Sequence, residues 1–200
     1  MAVITTNRPN LGSGAVKFID GLPFDGLGSA GFGDNDFLII GDELDNFLTG
    51  GSGHDEIEGG GGNDIIKGGA GNDILKGGDG NDDLDGQEGT EKLFGGAGDD
   101  ILRAGDGYDR LHGGSGNDIF GFYGAGHFQI ADFTPGEDRL FFDSEILGIH
   151  QFSELVALIT GITDNGDKGF TVEFVGGAAT IELVGVNINS ITADMIIFNL

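Results

Sequence analysis

The stretch that decides the fold runs from Gly50 to Gly121 and reads GGSGHDEIE GGGGNDIIK GGAGNDILK GGDGNDDLD GQEGTEKLF GGAGDDILR AGDGYDRLH GGSGNDIFG. It consists of eight unbroken nonads. Gly41–Thr49 is a ninth, degenerate copy, and Gly31–Ile39 is a candidate tenth, with one extra residue, Ile40, before the next repeat. Self-similarity at a fixed period is the sequence signature of repeat architectures. We therefore expect a stack of short repeated units.

Two positions of the nonad are constrained. Position six is acidic throughout, at Asp55, Asp64, Asp73, Asp82, Glu91, Asp100, Asp109 and Asp118. Position eight is apolar throughout, at Ile57, Ile66, Leu75, Leu84, Leu93, Leu102, Leu111 and Phe120. A low-complexity Gly/Asp linker would not keep an apolar residue at a period of nine, so the pattern indicates a packed repeat rather than a flexible segment.

The composition of each nonad predicts its local structure. Six glycine-rich residues form a turn, because glycine tolerates positive φ and close backbone approach. Three residues then form a short strand whose central side chain points inward. Two nonads make one coil, so repeat n lies beneath repeat n+2 and the strands of each face run parallel, about 4.8 Å apart. The expected fold is all-β, a parallel β-roll with a thin core of position-eight side chains.

Stacked turns bring the position-six carboxylates together along two edges. We expect Asp55, Asp73, Glu91 and Asp109 on one edge. The other edge carries Asp64, Asp82, Asp100 and Asp118, with Asn46 beneath Asp64. Neighbouring carboxylates repel by about 1 kcal/mol per pair even in water, so a cation must lie between them. Carboxylates and turn carbonyls without His or Cys form an all-oxygen site, which favours calcium over magnesium.

The motif GGxGxDxUx over Gly41–Gly121 resembles the nonapeptide of the RTX (repeats-in-toxin), hemolysin-type calcium-binding proteins. The resemblance implies a right-handed parallel β-roll that holds several calcium ions between stacked turns. It further implies that each ion is bound by the position-six carboxylates of two stacked turns and by backbone carbonyls of their glycine-rich segments.

Carried onto this chain, the resemblance assigns particular sites. The full sites lie at Asp55/Asp73, Asp64/Asp82, Asp82/Asp100 and Asp100/Asp118. Weaker sites lie at Asp73/Glu91, Glu91/Asp109 and Asn46/Asp64. The implied glycine ligands are Gly51, Gly53, Gly60, Gly62, Gly69, Gly71, Gly78, Gly80, Gly96, Gly98, Gly105, Gly107, Gly114 and Gly116. The chain departs from the motif at Gln87, Glu91 and Ala104, and Glu91 is one methylene too long for its turn.

The flanks divide the chain into three parts. Residues 1–40 are expected to form an irregular N-terminal cap with one strand at Val16–Ile19, residues 41–121 the β-roll, and residues 122–200 a C-terminal capping and secretion segment. Within the last part the patterns predict strands at Phe120–Tyr123, His127–Phe133 and Arg139–Phe142, a helix over Gln151–Thr160, a hairpin of Gly169–Val175 and Ala178–Val184, a turn capped by Ser190 and an apolar run at Met195–Phe198.

The C-terminal part carries a second resemblance. IADFTPGEDRL, Ile130–Leu140, resembles the segment that follows the nonads in RTX proteins, and the tail resembles their uncleaved signal for type I secretion. This implies a type I (ABC) secretion machinery as partner and a secreted, extracellular bacterial location. It agrees with the lack of an N-terminal secretory signal after Met1. The alternative is that the segment only covers the open β-edge of the solenoid.

Composition excludes several classes of protein. The net charge is -25, from 34 acidic and 9 basic residues, which argues against binding to nucleic acid or to anionic membranes. There is no cysteine, hence no disulfide, thiolate zinc site or cysteine nucleophile. No apolar run reaches the roughly 18 residues of a spanning helix. Hydrophobic residues nevertheless make up 38% of the chain, including 16 Phe, so we expect an ordered core.

The sequence predicts a binding protein rather than an enzyme. No HExxH, GxSxG or P-loop motif occurs, and His54 and His112 fall at outward positions of the repeat. Three functions stay open: a secreted calcium-binding protein with a structural, matrix or surface role, a bacteriocin- or toxin-like effector, and a non-catalytic repeat module of an alginate epimerase-like or other RTX enzyme that binds polysaccharide. The hint for the third is a set of outward basic residues, Lys67, Lys76, Lys92, Arg103 and Arg110.

Overall fold

The chain folds as a parallel β-roll, seen in a computed structural model that describes residues 3–6, 16–20, 36–177, 179–198 and 200. Much of the N-terminal cap expected for residues 1–40 lies outside the described residues, as does most of the candidate tenth repeat. The strand predicted at Val16–Ile19 is present, as Val16–Asp20. The described residues cover all eight unbroken nonads and nearly all of the C-terminal part.

The described residues contain strands on both sides of the roll, two short α-helices, and four single 3₁₀ turns at Gly166–Lys168, Val175–Gly177, Ile188–Ser190 and Ala193–Met195. The strands are β1 (Val3–Thr6), β2 (Val16–Asp20), β3 (Phe37–Ile40), β4 (Phe47–Ser52), β5 (Glu56–Gly61), β6 (Ile65–Gly71), β7 (Ile74–Asp79), β8 (Asp83–Gly89), β9 (Lys92–Ala97), β10 (Ile101–Arg103), β11 (Asp106–Ser115), β12 (Ile119–Phe122), β13 (Gly126–Ile130), β14 (Arg139–Phe142), β15 (Ile159–Asp164), β16 (Gly169–Phe174), β17 (Ala179–Val184) and β18 (Ile196–Ile197). The helices are α1 (Ser144–Leu147) and α2 (Phe152–Leu158). Neither helix is long and apolar enough to cross a membrane, nor is any other helix of the described chain.

Strand register confirms the predicted coil of two nonads. On one face β3, β5, β7, β9 and β11 pair in parallel, with Ile57 opposite Leu75 and Leu75 opposite Leu93. On the other face β4, β6, β8, β10 and β12 pair in the same way, with Ile66 opposite Leu84. Repeat n therefore lies directly beneath repeat n+2.

The position-eight side chains form the core between the two faces. They are at most 1% exposed, at Ile39, Leu48, Ile57, Ile66, Leu75, Leu84, Leu93, Leu102, Leu111 and Phe120. Ile39 pairs with Ile57, so the strand before Gly41 is in frame with the later nonads. The expected frame of Gly31–Ile39 with an extra residue, Ile40, is therefore wrong: Ile39 takes the buried position and Ile40 belongs to the same repeat.

Glycine is required where the turns stack. Gly71 has φ +147°, and a Cβ there would lie 1.5 Å from the carbonyl oxygen of Gly53 in the turn below. No side chain fits at that separation, and the positive φ disfavours any other residue. The glycine-rich half of the nonad thus sets how closely two turns approach.

The roll continues past the nonads. β13 pairs with β11 at a spacing of 19 residues, since Leu111 lies opposite Ile130, and β14 pairs with β12 at a spacing of 20, since Ile119 lies opposite Arg139. The chain then leaves the roll and forms α1, α2, β15 and β16. It returns with β17, which pairs in parallel with β13, and with β18, which pairs in parallel with β14. Antiparallel strands close one face at both ends, β1–β2–β3 at the start and β17–β16–β15 at the finish.

Most of the predicted C-terminal elements are present. β14 covers Arg139–Phe142, α2 lies within the predicted helix, and β16 and β17 form the predicted hairpin. The patterns missed α1, whose first backbone N–H groups are capped by the Asp143 side chain, and β15. The predicted cap at Ser190 is wrong, because Asn187 accepts from the N–H of Asn189 and Ser190 ends that turn.

Candidate calcium site

The position-six side chains stack along two edges, as predicted. In each pair the backbone N–H of the lower residue donates to Oδ1 of the residue 18 positions later, over 2.7–3.0 Å. The pairs are Asn46–Asp64, Asp55–Asp73, Asp64–Asp82, Asp82–Asp100, Glu91–Asp109 and Asp100–Asp118. One carboxylate oxygen of each acceptor is thereby used to hold the turns together.

The second carboxylate oxygen is buried without any hydrogen-bond partner. This holds for Oδ2 of Asp55, Asp64, Asp73, Asp82, Asp100 and Asp109, and for both Oε atoms of Glu91. A buried carboxylate oxygen without a partner is costly, and a cation is the partner that removes the cost. The geometry therefore fits a bound metal ion at each pair of stacked turns.

Backbone carbonyls complete the donor set. A Cβ at Gly50 would lie 2.2 Å from the partnerless Oδ2 of Asp55 and 2.7 Å from the carbonyl oxygen of Gly68, so both oxygens lie next to Gly50. The carbonyl oxygens of Gly51 and Gly53, two of the implied ligands, instead approach Gly69 and Gly71 in the next turn. No three carboxylate or imidazole side chains converge on one point in the described part of the chain, so two carboxylates and several carbonyls would make each site. That all-oxygen set suits calcium. The assignment of individual ions to individual pairs stays a prediction.

Without a cation, burial raises the pKa of the position-six carboxylates and favours their protonated, neutral form. Burial raises the pKa of Asp55 and Asp100 to about 7 and the pKa of Asp64, Asp73 and Asp118 to about 6. The nearest stacked carboxylate adds to the rise in Asp55, Asp64 and Asp100. A shift in this direction is expected wherever buried like charges share a site without a counter-ion.

One edge is interrupted at Glu91. The N–H of Asp73 makes no hydrogen bond to Glu91, both of whose oxygens are without a partner. Burial and the neighbouring Asp109 raise the pKa of Glu91. The second position of this nonad is Gln87, with φ +76°, whereas the other seven unbroken nonads have glycine there. The departures noted in the sequence thus cluster on one edge of the roll.

Asp138 is a member of the other edge that the sequence pattern did not reveal. Its Oδ1 accepts from the N–H of Asp118 over 2.9 Å, and its Oδ2 accepts from the N–H of Thr134 over 2.7 Å. Both oxygens are therefore used by backbone donors, unlike those of the nonads. The signal was available, because Asp138 and Leu140 repeat the spacing of positions six and eight, but two extra residues hide the period.

A second ladder runs along position five. The N–H of Asn81 donates to Oδ1 of Asn63, and the N–H of Asp99 donates to Oδ1 of Asn81, over 2.8–2.9 Å. His54 belongs to this ladder, since its Nδ1 accepts from the N–H of Asn72 over 2.8 Å. His112 instead pairs with Asp132 over 2.7 Å. His54 is therefore half-buried at its outward position, and its ring holds two turns together.

Comparison with known proteins places the repeats in one family. The RTX calcium-binding nonapeptide repeat (4 copies) matches residues 40–75, 58–90 and 85–120. No curated protein matches the chain.

Three solved structures are similar over most of the chain. The AlgE6R2 subunit of the Azotobacter vinelandii mannuronan C5-epimerase is 26% identical over 80% of this chain and 91% of its own, with a TM-score of 0.39. The AlgE6R3 subunit of the same epimerase is 26% identical over 78% and 79%, with a TM-score of 0.38. The extracellular lipase LipA from Serratia marcescens is 18% identical over 78% of this chain, with a TM-score of 0.33. The chain spans 39% of the length of that lipase.

Proposed function

Because residues 40–120 are RTX repeats and therefore bind calcium, we propose that this protein is exported by type I secretion and folds when it meets extracellular calcium. Its role outside the cell is structural, in a matrix or at a surface. The observation that carries the proposal is the pair of stacked edges with buried, partnerless carboxylate oxygens. The proposal assigns a binding role rather than catalysis, because these buried carboxylates are already committed to the stacked turns.

The negative charge of the chain makes its folding depend on the calcium concentration around it. The chain has a net charge of -25, and its turns bring carboxylates into contact, so the metal-free chain is kept extended by repulsion. Shared, open turn sites are expected to bind in the range of extracellular modules, about 10⁻⁴–10⁻³ M. Calcium far below that range would leave the chain unfolded, and an unfolded chain can pass through a narrow exporter.

Circular dichroism with and without calcium tests the folding half of the proposal. Binding free energy becomes folding free energy when the site is absent from the unfolded chain. We expect little β signal in excess EGTA and a full β spectrum after calcium is added in excess, with magnesium much less effective. A full β spectrum in EGTA would refute the proposal.

Truncation tests the secretion half. Removal of residues 166–200, in a host with a type I exporter, should abolish export. The matched control removes residues 50–85, four whole nonads, and keeps the tail; it should still reach the medium. If the truncated chain is exported as efficiently as the full chain, the C-terminal segment has no role as a secretion signal and acts as a cap alone.

A second candidate function, binding of an acidic polysaccharide, is favoured by one surface feature. On the outer side of β9 and β11, Lys92 lies opposite Arg110 and Phe94 lies opposite His112. Tyr108 is 71% exposed and lies two residues before Arg110 and four before His112 on β11. Residues two apart on a strand point to the same side, so all three project outward. We call Lys92, Phe94, Tyr108, Arg110 and His112 the basic-aromatic patch.

The patch offers the two contacts that acidic sugars need. Cationic groups pair with carboxylates, and exposed rings supply flat amphipathic surface. The rings are ordered in pairs, with centroids 6.0 Å apart for Phe94–His112 and 5.9 Å apart for Tyr108–His127. These two ring pairs flank Lys92 and Arg110 on either side.

Binding of short oligouronates to the calcium-loaded chain, with neutral dextran fragments as the reference, tests this candidate. Arg110→Gln should weaken oligouronate binding about tenfold. Lys76→Gln is the control, since Lys76 lies on the same face but is paired with Glu56 and Glu58. Equal binding of the neutral fragments, or equal effects of the two substitutions, would dismiss the patch as a sugar site.

A further inference from the structure

A pocket of about 430 Å³ lies where the last turns of the roll meet the C-terminal part of the chain. It is enclosed by the last strands of the roll, by α1 and α2, and by the hairpin of β16 and β17. Its position is a consequence of the excursion of residues 143–177, which covers the end of one face without filling the space beneath.

The walls of the pocket are apolar and well packed. Phe122 contacts Phe128 and Phe142, with ring centroids 5.2 Å and 5.4 Å apart. Leu155, 2% exposed, and Ile181, 4% exposed, also line the pocket. An apolar cavity of about 150 Å³ in another protein stays dry and binds benzene, so a pocket of this size has room for a larger apolar body. Its volume lies within the range of small-molecule sites.

The mouth of the pocket exposes apolar side chains to water. Ile146 is 63% exposed and Val175 is 52% exposed, and both line the pocket. Exposed apolar side chains that are continuous with an apolar pocket gain from being covered by a ligand. A ligand that enters the pocket would therefore bury these two side chains as well.

Among the described residues, the polar side chains of the lining are Asp106 and Tyr123, and both offer hydrogen-bond acceptors. Tyr123 donates its hydroxyl proton to Asp85 over 2.6 Å, which leaves its oxygen as an acceptor. Asp106 is exposed and accepts from the N–H of Ala125 over 2.7 Å. A ligand must therefore supply the hydrogen-bond donor. A carboxylate would meet Asp106 and a chain of net charge -25 and be repelled.

We propose that this pocket binds a small apolar amine, with its hydrocarbon or aromatic body among Phe122, Phe142 and Leu155 and its ammonium group at Asp106. The inference goes beyond calcium binding, because Phe122, Phe142 and Leu155 lie outside the nonad turns. Asp106 lies in a nonad turn, between Gly105 and Gly107, but it is not a position-six carboxylate. It assigns the C-terminal part a ligand of its own.

Calorimetric titration of the calcium-saturated full chain with octylamine and with octanoate tests the proposal. The two molecules share one chain length and differ in the sign of the head group. At about 150 mM salt, which screens non-specific surface attraction, we expect one octylamine to bind at least about tenfold more tightly than octanoate. Equal affinity, octanoate preference, or no saturable octylamine binding would overturn the proposal.

Two matched pairs of variants locate the site. Asp106→Asn should remove the preference for octylamine, whereas Asp167→Asn, an exposed carboxylate outside the lining, should not. Val175→Asn should weaken octylamine binding several-fold, whereas Ile162→Asn, equally 52% exposed but outside the lining, should not. Calcium-dependent circular dichroism verifies that all four fold. If both members of either pair behave alike, binding is to the acidic surface and the pocket is not the site.

Discussion

Glu91 follows Asp73 on one edge of the roll, yet it accepts no hydrogen bond from the N–H of Asp73. At the neighbouring step the N–H of Glu91 itself donates to Asp109 over 2.9 Å. The extra methylene of Glu91 carries its carboxylate past the position from which an aspartate reaches the turn below. A single carbon atom thus interrupts a ladder that is otherwise repeated along the roll.

The two edges of the roll therefore differ. One edge runs without a break from Asn46 through Asp64, Asp82, Asp100 and Asp118 to Asp138. The other is broken between Asp73 and Glu91. In the predicted assignment neighbouring calcium sites share a carboxylate, so a break is expected to lower the calcium affinity on both sides of it. We expect the unbroken edge to bind calcium at lower concentration than the broken one.

Glu91→Asp should repair the broken edge. The shorter side chain can accept from the N–H of Asp73 and present its second oxygen to the cation, as the aspartates of the other nonads do. We expect the calcium midpoint of folding to fall and the number of bound ions, measured by calorimetry, to stay equal or rise. Glu88→Asp, at an exposed position of the same repeat, is the control and should change neither. A loss of bound ions in Glu91→Asp would contradict the stacking assignment.

Asp82→Asn should weaken two sites at once. Asp82 accepts from Asp64 and donates to Asp100, so it lies between two stacked pairs of the unbroken edge. The amide oxygen can keep the backbone hydrogen bond, but the charge that binds calcium is lost. We expect the calcium midpoint to rise about tenfold or more, followed by circular dichroism. Asp167→Asn removes an equal charge from an exposed turn outside the nonads and should leave the midpoint within about twofold.

Acid should partly replace calcium. The pKa of Asp55 and Asp100 is about 7 in the fold, and that of Asp64, Asp73 and Asp118 about 6, against 3.8 when exposed. Because the folded chain then binds more protons than the unfolded one, stability without calcium falls as pH rises between about 4 and 7. In calcium-free buffer, β signal and urea resistance should increase from pH 7.5 to pH 5.5. A decrease on acidification would show that these carboxylates are not buried in the metal-free fold.

Leu84→Ala should destabilise the calcium-loaded fold by about 2–5 kcal/mol, because a fully buried side chain leaves a cavity between the two faces. Urea unfolding in excess calcium measures the loss. Leu44→Ala is the control, since Leu44 is 47% exposed at the edge of the same roll. Equal losses for the two variants would mean that the position-eight ladder is not the core.

The sequence alone determined the roll, because the nine-residue repeat is a property of the chain itself. A residue at position eight is buried wherever it occurs, from Ile39 to Phe120, and a residue at position six faces the turn 18 residues away. Each nonad strand pairs with the strands 18 residues before and after it, so the repeat itself sets this arrangement. The stacked edges and the weak step at Glu91 follow from the same local rule.

Only the tertiary structure decided the path of the chain after Gly121. Asp138 joins the unbroken edge at a spacing of 20 residues, and β17 joins β13 across 53 residues. Such pairings are selected by which apolar surface is left to cover, and no period in the sequence records them. The pocket among Phe122, Phe142 and Leu155 arises in the same way, since its walls come from strands and helices that meet only when the excursion packs against the end of the roll.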